Sequence, residues 1–220
     1  MPPDCPSSPS AQISGEDGSH FAVRISHFAF RNANHLSTCP LVNKTKMHPL
    51  DTFMRCPVCG SACFDIHDFK SKRCADCGFV YYLNPSGATV AFIVNEQGAL
   101  LVVRRAEEPA RGTLDLPGGF VDIGETVEEG VAREVLEETG LTVTKAQYLF
   151  SLPNRYLFSG MPIPTLDLFF RCEVVSGAQP RPADDAAECF WLQPEDICPE
   201  LFGLRSVRLG VERFLKKSKL

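Results

Sequence analysis

The segment from Gly119 to Leu141 constrains this chain more than any other part of its sequence. Thr126, Glu129 and Gly140 stand where the start and stop signals of a helix over residues 126–139 are expected. At about 100° per residue, three acidic side chains share one face of this helix: Glu134, Glu137 and Glu138. The neighbouring face is an apolar stripe, which predicts packing on a sheet. The stripe consists of Val127, Val131 and Val135.

The charge of this segment points to bound cations. Eight acidic residues lie between Asp115 and Glu138, although the net charge of the whole chain is only −5. Like charges on one helical face repel one another, and divalent cations would neutralise them. Carboxylate ligands without histidine suit Mg²⁺ or Mn²⁺. Taken alone, the three glutamates are also compatible with a solvated acidic face.

The full spacing of the segment resembles the Nudix box of the Nudix hydrolase family. That box reads Gly, five residues, Glu, seven residues, Arg-Glu, an aliphatic residue, any residue, Glu-Glu, any residue, Gly and an aliphatic residue. Every fixed position is present between Gly119 and Leu141. The resemblance covers residues 86–215 and implies an α+β fold, an α/β/α sandwich with a mixed sheet. It also implies a loop–helix–loop that holds one to three Mg²⁺ ions against a diphosphate.

The resemblance implies roles for individual residues. Arg133 and Glu125 would pair and orient the carboxylates that take part in catalysis, and Glu134 or Glu138 would act as the base. Gly118 is an alternative to Gly119 as the residue whose carbonyl binds the metal. The implied magnesium ligands are Glu134, Glu137, Glu138, Gly119 and Glu188. For Glu188, the alternative is an exposed glutamate at a strand edge.

Ten cysteines include two Cys-x2-Cys pairs that are separated by fourteen residues, each followed by glycine. Four thiolates close a tetrahedral site around Zn²⁺, and a two-residue spacer lets both sulfurs of a pair reach one ion. Redox pairs are the alternative. The repeated pattern predicts a structural zinc ribbon with no open coordination position and with Cys63 as a spare thiol. The predicted ligands are Cys56, Cys59, Cys74 and Cys77.

Beyond the box, the chain looks most like the NADH pyrophosphatase branch of the family, which also has a zinc ribbon ahead of its Nudix domain. That branch carries the signature Ser-Gln-Pro-Trp-Pro-Phe-Pro-x-Ser eleven residues after the last glycine of the box. Ser151, Pro153 and Ser159 match it here, and Tyr156 replaces the Phe. The Gln, the Trp and two prolines are absent. Because of these differences, the signature does not identify NADH as the substrate of this chain.

Three residues of this region are candidates for substrate binding. Tyr156 or Phe158 could stack on a nucleobase, a contact worth about 1–3 kcal/mol. Arg155 could reach a phosphate or a ribose. Core packing of the aromatic rings and a solvated arginine are the alternatives.

The rest of the sequence indicates the organisation of the chain. Residues 1–46 form a predicted disordered extension, of which residues 1–19 are rich in Pro, Ser and Gly, and Met47 is an alternative start. Residues 47–84 are the predicted zinc ribbon and residues 85–220 the predicted Nudix domain. Further strands are predicted at 88–94, 99–103, 113–121, 141–151, 166–175 and 189–192, with a hairpin turn at 95–98 and a final helix at 206–217. No apolar run is long enough to cross a bilayer and no secretory signal is present, so we expect a cytoplasmic protein.

The resemblance implies a Mg²⁺-dependent hydrolase that cleaves the diphosphate linkage of a nucleoside diphosphate joined to another moiety, such as NADH or ADP-ribose. The expected product is a nucleoside monophosphate. One alternative is a non-catalytic Nudix regulator that binds a nucleotide. Another is an enzyme that processes nucleotide-capped RNA, which the net charge of −5 supports little. The expected partner is a small-molecule nucleotide, without DNA or membrane, and the resemblance makes a homodimer plausible.

Overall fold

This computed structural model describes residues 48–182 and 186–218 of the chain. These ranges contain nine strands and two α-helices. The predictions for residues 1–46 and for a start at Met47 lie outside these ranges. Two short 3-10 helices, Pro194–Asp196 and Pro199–Leu201, precede the last helix. The elements in chain order are β1 (Phe64–Asp68), β2 (Ser71–Cys74), β3 (Val80–Tyr82), β4 (Ser86–Ile93), β5 (Leu100–Arg105), β6 (Leu114–Asp115), α1 (Val127–Thr139), β7 (Val143–Phe158), β8 (Met161–Val174), β9 (Ala186–Leu192) and α2 (Arg205–Ser218).

The first sheet belongs to the cysteine module. Strands β1, β2 and β3 form an antiparallel meander. Its core is small: Phe64 and the cysteines Cys56 and Cys74 are buried, with Phe53 and Tyr81 packed against them. Such a small core buries little apolar area, and modules of this size are usually stabilised by a metal or by disulfides.

The second and third sheets form the larger part of the fold. In the order β4-β8-β7, strand β4 runs parallel to β8 while β7 runs antiparallel to it, so this sheet is mixed as predicted. Strands β6, β5 and β9 form an antiparallel sheet. Two apolar clusters fill the space around these sheets, one with α2 and the other with α1. Within the described ranges, no helix has the length and apolarity that a membrane span requires.

The predicted helix is confirmed in detail. The hydroxyl of Thr126 accepts a hydrogen bond from the N–H of Glu129, whose carboxylate accepts one from the N–H of Thr126. This reciprocal pair satisfies two donors that would otherwise lack a partner at the start of α1. The helix ends at Gly140, whose φ of 69° lies in the left-handed region that glycine favours. Val131 and Val135 are fully buried against the mixed sheet, so the apolar stripe packs as predicted.

The predicted hairpin between 88–94 and 99–103 is confirmed at its turn, where the N–H of Asn95 donates to the carbonyl of Ala99, but not along its strands. Only one bridge, between Val94 and Leu100, joins the two strands beside the turn. Strand β4 then pairs with β8, and β5 pairs with β6 and β9. Consecutive residues are buried over most of each strand, so each is covered on two faces there and lies between layers. The local turn signal therefore does not determine which strand each of them pairs with.

Strand β7 is longer than the predicted 141–151 and includes the whole region from Ser151 to Phe158. It continues because Ser159 and Gly160, with φ of 49° and 76°, form a tight two-residue turn into β8. Phe158 consequently pairs with Met161. The predicted substrate-binding residues thus lie on a strand, where neighbouring side chains point to opposite faces.

Candidate active site and zinc centre

A cavity of about 330 Å³ opens between the mixed sheet, strands β5 and β6, and the start of α2. Glu134, Glu137 and Glu138 line it together, so the structure brings the three predicted acidic residues to one place. They are exposed to different degrees. The Glu134 side chain is 14% exposed and that of Glu137 is 45% exposed. A cavity wall with three carboxylates is a strongly anionic surface.

Of the three glutamates, Glu138 lies in the least favourable environment for a charge. One of its carboxylate oxygens accepts a hydrogen bond from the N–H of Gly118 at 3.1 Å. Burial, with the nearby charges of Asp115 and Glu134, raises the pKa of Glu138 to about 8. Burial also raises the pKa of Glu134, although the adjacent Arg133 opposes this effect. Arg133 forms ion pairs with Glu134 and Glu137, whereas no ion pair among the described residues involves Glu138.

Arg133 organises the exposed side of the cluster. Its guanidinium pairs with both carboxylate oxygens of Glu125, at 2.7 and 3.1 Å. It also donates to Glu134 at 2.9 Å and to Glu137 at 2.8 Å. Its hydrogen bonds lower the pKa of Glu125 to about 2. The arginine and the glutamate that the sequence predicts as partners are thus in direct contact.

The glycine-rich loop runs beside β4 and continues the mixed sheet. The N–H of Thr89 donates to the carbonyl of Gly119 at 2.7 Å. A Cβ at position 118 would come within 2.1 Å of the Thr89 carbonyl, and one at 119 within 2.6 Å of the Glu134 carboxylate. Both positions therefore need glycine. The Gly119 carbonyl is occupied by β4, whereas no donor in the described part of the chain reaches the carbonyl of Gly118.

The sequence did not indicate an ion pair inside the cavity. Arg105 donates to the carboxylate of Asp115 at 2.7 Å, and their side chains are only 16% and 9% exposed. Burial raises the pKa of Asp115, against the opposing effect of the Arg105 charge. Arg105 also donates to the hydroxyl of Tyr156 at 3.1 Å. An aspartate between two leucines, at 114–116, was the available signal.

A second polar group was also missed. It lies on the cavity face of the mixed sheet, where Asp167 is 5% exposed. The Asp167 carboxylate accepts from Thr165 at 2.6 Å, from Asn154 at 3.1 Å and from Ser206. The signal was a single aspartate in the apolar strand 166–170. Asn154, Thr165 and Asp167 all line the cavity.

Of the predicted substrate-binding residues, only Tyr156 lines the cavity. Its ring contacts that of Phe120 edge to face, with centroids 5.7 Å apart. Arg155 is exposed on the strand next to it, and Phe158 is 60% exposed beside the hairpin turn. Because side chains alternate along β7, Arg155 faces away from Tyr156.

Glu188, the predicted additional magnesium ligand, does not line the cavity. It lies opposite Arg104 in the pairing of β5 with β9, and the two form an ion pair at 2.8 Å. The Glu188 side chain is 59% exposed. Val103 lines the cavity, so the next side chain, that of Arg104, points to the other face of the sheet. Glu188 lies opposite Arg104 and therefore points away from the cavity as well.

The four predicted zinc ligands come together around one point. Their sulfur atoms all lie within 4.8 Å of one another, with 3.7 Å between Cys56 and Cys77 and 3.6 Å between Cys59 and Cys74. A tetrahedral site with Zn–S bonds of about 2.3 Å requires sulfurs about 3.8 Å apart. A disulfide bond would require about 2.05 Å. The cluster therefore has the dimensions of a four-thiolate metal site. Cys63 is exposed and outside it.

Comparisons with known proteins agree with this geometry. A family model described as NUDIX domain matches residues 84–210. A MutT-like protein of Streptomyces ambofaciens is 36% identical over 124 residues, 56% of this chain and 74% of that protein. The NAD-capped RNA hydrolase NudC of Vibrio cholerae is 30% identical over 154 residues, 69% of this chain but only 54% of that protein. The ADP-ribose pyrophosphatase of Methanocaldococcus jannaschii is 38% identical over 110 residues, 49% of this chain and 61% of that protein.

Solved structures show the same fold. A NUDIX hydrolase from Nitrosomonas europaea superposes with a TM-score of 0.59 at 22% identity, covering 74% of this chain and 90% of its own. The MutT protein of Methanosarcina mazei superposes with a TM-score of 0.50 at 30% identity, covering 64% of this chain and all of its own. The predicted fold class, the α+β Nudix sandwich, is confirmed. The chain therefore belongs to the NUDIX hydrolase family.

Proposed function

We propose that this protein is a Mg²⁺-dependent pyrophosphohydrolase that splits the diphosphate linkage of a nucleoside diphosphate joined to another moiety, with a nucleoside monophosphate as one product. The observation that carries the proposal is the position of Glu134, Glu137 and Glu138 on the wall of one cavity. A diphosphate is itself anionic, so it enters such a cavity only together with cations.

The carboxylates suit a hard divalent ion. They offer oxygen donors, and no histidine lines the cavity. Burial raises the pKa of Glu138, and no ion pair in the described part of the chain involves its carboxyl, so a bound cation would supply the missing positive charge. We propose Glu134, Glu137 and Glu138 as ligands of Mg²⁺ or Mn²⁺. Of the two glycines that the sequence left open, we favour the Gly118 carbonyl, because β4 already occupies that of Gly119.

Bound Mg²⁺ would neutralise phosphate oxygens and lower the pKa of a coordinated water. Glu134 or Glu138 would accept the proton that this water loses on attack at phosphorus. Arg133 is a positioning residue, because its bidentate pair with Glu125 keeps the guanidinium beside Glu134. Neutralising one carboxylate therefore removes both a ligand and a base without removing the cavity.

The substrate class is supported by two relatives. One is named an ADP-ribose pyrophosphatase and the other an NAD-capped RNA hydrolase, and both names imply a diphosphate next to adenosine. The second name also keeps nucleotide-capped RNA as an alternative substrate. This chain spans about half the length of that relative, so the activity of the whole protein is part of the proposal. The intact carboxylates weigh against a non-catalytic regulator.

Several further predictions accompany this function. We propose a structural Zn²⁺ at Cys56, Cys59, Cys74 and Cys77, because four thiolates leave it no open position. The division into a ribbon at 47–84 and a catalytic domain at 85–220 stays a proposal, as do a cytoplasmic location and a homodimer. Binding of substrate by Arg155 or Phe158, and of metal by Glu188, stays a prediction that the cavity lining does not support.

The test is hydrolysis of ADP-ribose, NADH, nucleotide sugars, nucleoside triphosphates and NAD-capped RNA with Mg²⁺ or Mn²⁺. Glu138→Gln should reduce turnover at least 100-fold, because it removes a charged ligand while keeping the shape of the side chain. Glu128→Gln is the matched control on the exposed first turn of the same helix, and it should keep full activity. Absence of diphosphate hydrolysis in the unaltered protein, or full activity in Glu138→Gln, would contradict the proposal.

A further inference from the structure

We infer that Asn154 reads the hydrogen-bonding edge of the nucleobase and selects adenine. The inference rests on the proposed function, since it concerns the part of the substrate that is not cleaved. Asn154 lies on β7, on the face of the mixed sheet that lines the cavity. Neither the three glutamates nor their arginine contacts it through a hydrogen bond or an ion pair in the described parts of the chain.

The position of Asn154 fits the far end of a nucleotide. The glycine-rich loop pairs with β4, β4 with β8, and β8 with β7. Three strand spacings of about 4.8 Å therefore separate the backbone of the loop from the backbone of Asn154, about 14 Å across the sheet. A diphosphate beside the loop and the glutamates would need a ribose and a base to reach this residue. The glycine-rich loop, the three glutamates and Asn154 all line the same cavity.

Asp167 determines how the amide of Asn154 is oriented. A carboxylate only accepts hydrogen bonds, so it attracts the amide nitrogen and not the amide oxygen. The Nδ2 of Asn154 donates to Asp167 at 3.1 Å. Thr165 and Ser206, both buried, donate to the same carboxylate and hold it in place. The amide is therefore rigid before a ligand arrives.

This orientation leaves specific groups available to a ligand. No donor in residues 48–182 or 186–218 reaches the Oδ1 of Asn154. Its amide also has a second N–H, because an amide nitrogen donates twice. A carbonyl beside an N–H is complementary to an edge that offers one donor and one acceptor. Adenine has such an edge in its amino group and N7, and asparagine pairs with it in a bidentate manner.

The same arrangement disfavours oxo purines. Hypoxanthine and guanine bound through the same edge present two acceptors, O6 and N7, so the Asn154 carbonyl would lose its donor and face another oxygen. Their N1–H and O6 could pair with the amide only if the base were placed differently in the cavity. Aromatic rings of Phe120 and Tyr156 border the same cavity and offer apolar contact to the base. The aromatic rings tolerate any base, whereas the amide discriminates between them.

The test compares matched pairs that differ only in the base: ADP-ribose with inosine diphosphate ribose, and NADH with deamino-NADH. The unaltered enzyme should prefer adenine about 10-fold to 100-fold in kcat/KM. Asn154→Leu should reduce this ratio to within about twofold, mainly by raising KM for the adenine substrate. Asp167→Asn should lower the ratio in the same direction, because it releases the amide orientation. Gln147→Leu, on the exposed side of β7, is the control and should leave the ratio unchanged.

Binding of AMP and IMP with Mg²⁺, measured by calorimetry, provides a readout that does not depend on turnover. An unchanged preference for adenine in Asn154→Leu would overturn the inference, and the cluster would then be only structural. Asn154→Ser provides the same comparison if the leucine variant does not fold. If the unaltered protein cleaves no diphosphate, the proposed function fails, and the AMP-to-IMP ratio still decides the role of Asn154.

Discussion

Removing the charge of Glu138 should stabilise the Mg²⁺-free protein although it reduces turnover at least 100-fold. Burial raises the pKa of this carboxyl from 4.5 to about 8. The folded protein therefore binds the proton more tightly than the unfolded chain does. The stabilisation from this proton is complete below pH 4.5 and is lost as the pH rises from 4.5 to about 8. Glutamine carries no charge at any pH, so Glu138→Gln does not lose this stability.

The magnitude follows from the two pKa values. At pH 7.5 they correspond to about 4 kcal/mol, and at pH 5 to less than about 1 kcal/mol. Solvent that enters the cavity screens part of this effect, so we expect a gain of about 2 kcal/mol for Glu138→Gln at pH 7.5. For a protein of this size, such a gain raises Tm by roughly 4–8 °C.

The assay is denaturant unfolding and thermal melting at pH 5.0 and 7.5 in buffer freed of Mg²⁺ by a resin, with no soluble chelator that would remove zinc. Adding Mg²⁺ should raise the Tm of the unaltered protein more than that of Glu138→Gln. Glu137→Gln is the control, because its exposed carboxylate pairs with Arg133 and should contribute less than about 1 kcal/mol at either pH. An equal gain at both pH values, or no gain at pH 7.5, would refute the electrostatic reasoning.

Three further predictions concern backbone space, the arginine and the cysteines. Gly118→Ala should lower the free energy of unfolding by more than about 2 kcal/mol in urea titrations, because the added Cβ meets a β4 carbonyl at 2.1 Å; a loss below 0.5 kcal/mol would count against the loop geometry. Arg133→Lys cannot pair with both oxygens of Glu125, so turnover should fall about 10-fold or more in a diphosphate assay while Tm changes by only a few degrees. Cys59→Ser should abolish zinc in elemental analysis and lower Tm, whereas Cys63→Ser, outside the cluster, should retain one zinc per chain.

The local spacing of residues was sufficient to predict helix α1 and the cluster of four cysteines. Residues three and four apart lie on one helical face, so the acidic face and the valine stripe of α1 could be read without knowledge of the fold. Two residues between cysteines likewise place both sulfurs at one centre. The capping box and the stop at Gly140 depend on contacts within a few residues, and both were predicted correctly. The spacing of the box was specific enough to predict the family.

The tertiary structure alone decided the pairing of strands and the far side of the cavity. The sequence of an apolar strand that is buried on both faces does not indicate which strand lies beside it. The pairing of β4 with β8, and not with β5, could therefore not be predicted. Asn154 meets Asp167, and Arg105 meets Tyr156, only because distant strands are brought together. A strand also sends adjacent side chains to opposite faces, and the face that meets the cavity was fixed by packing. Tyr156 therefore faces the cavity while Arg155, its neighbour on the strand, does not.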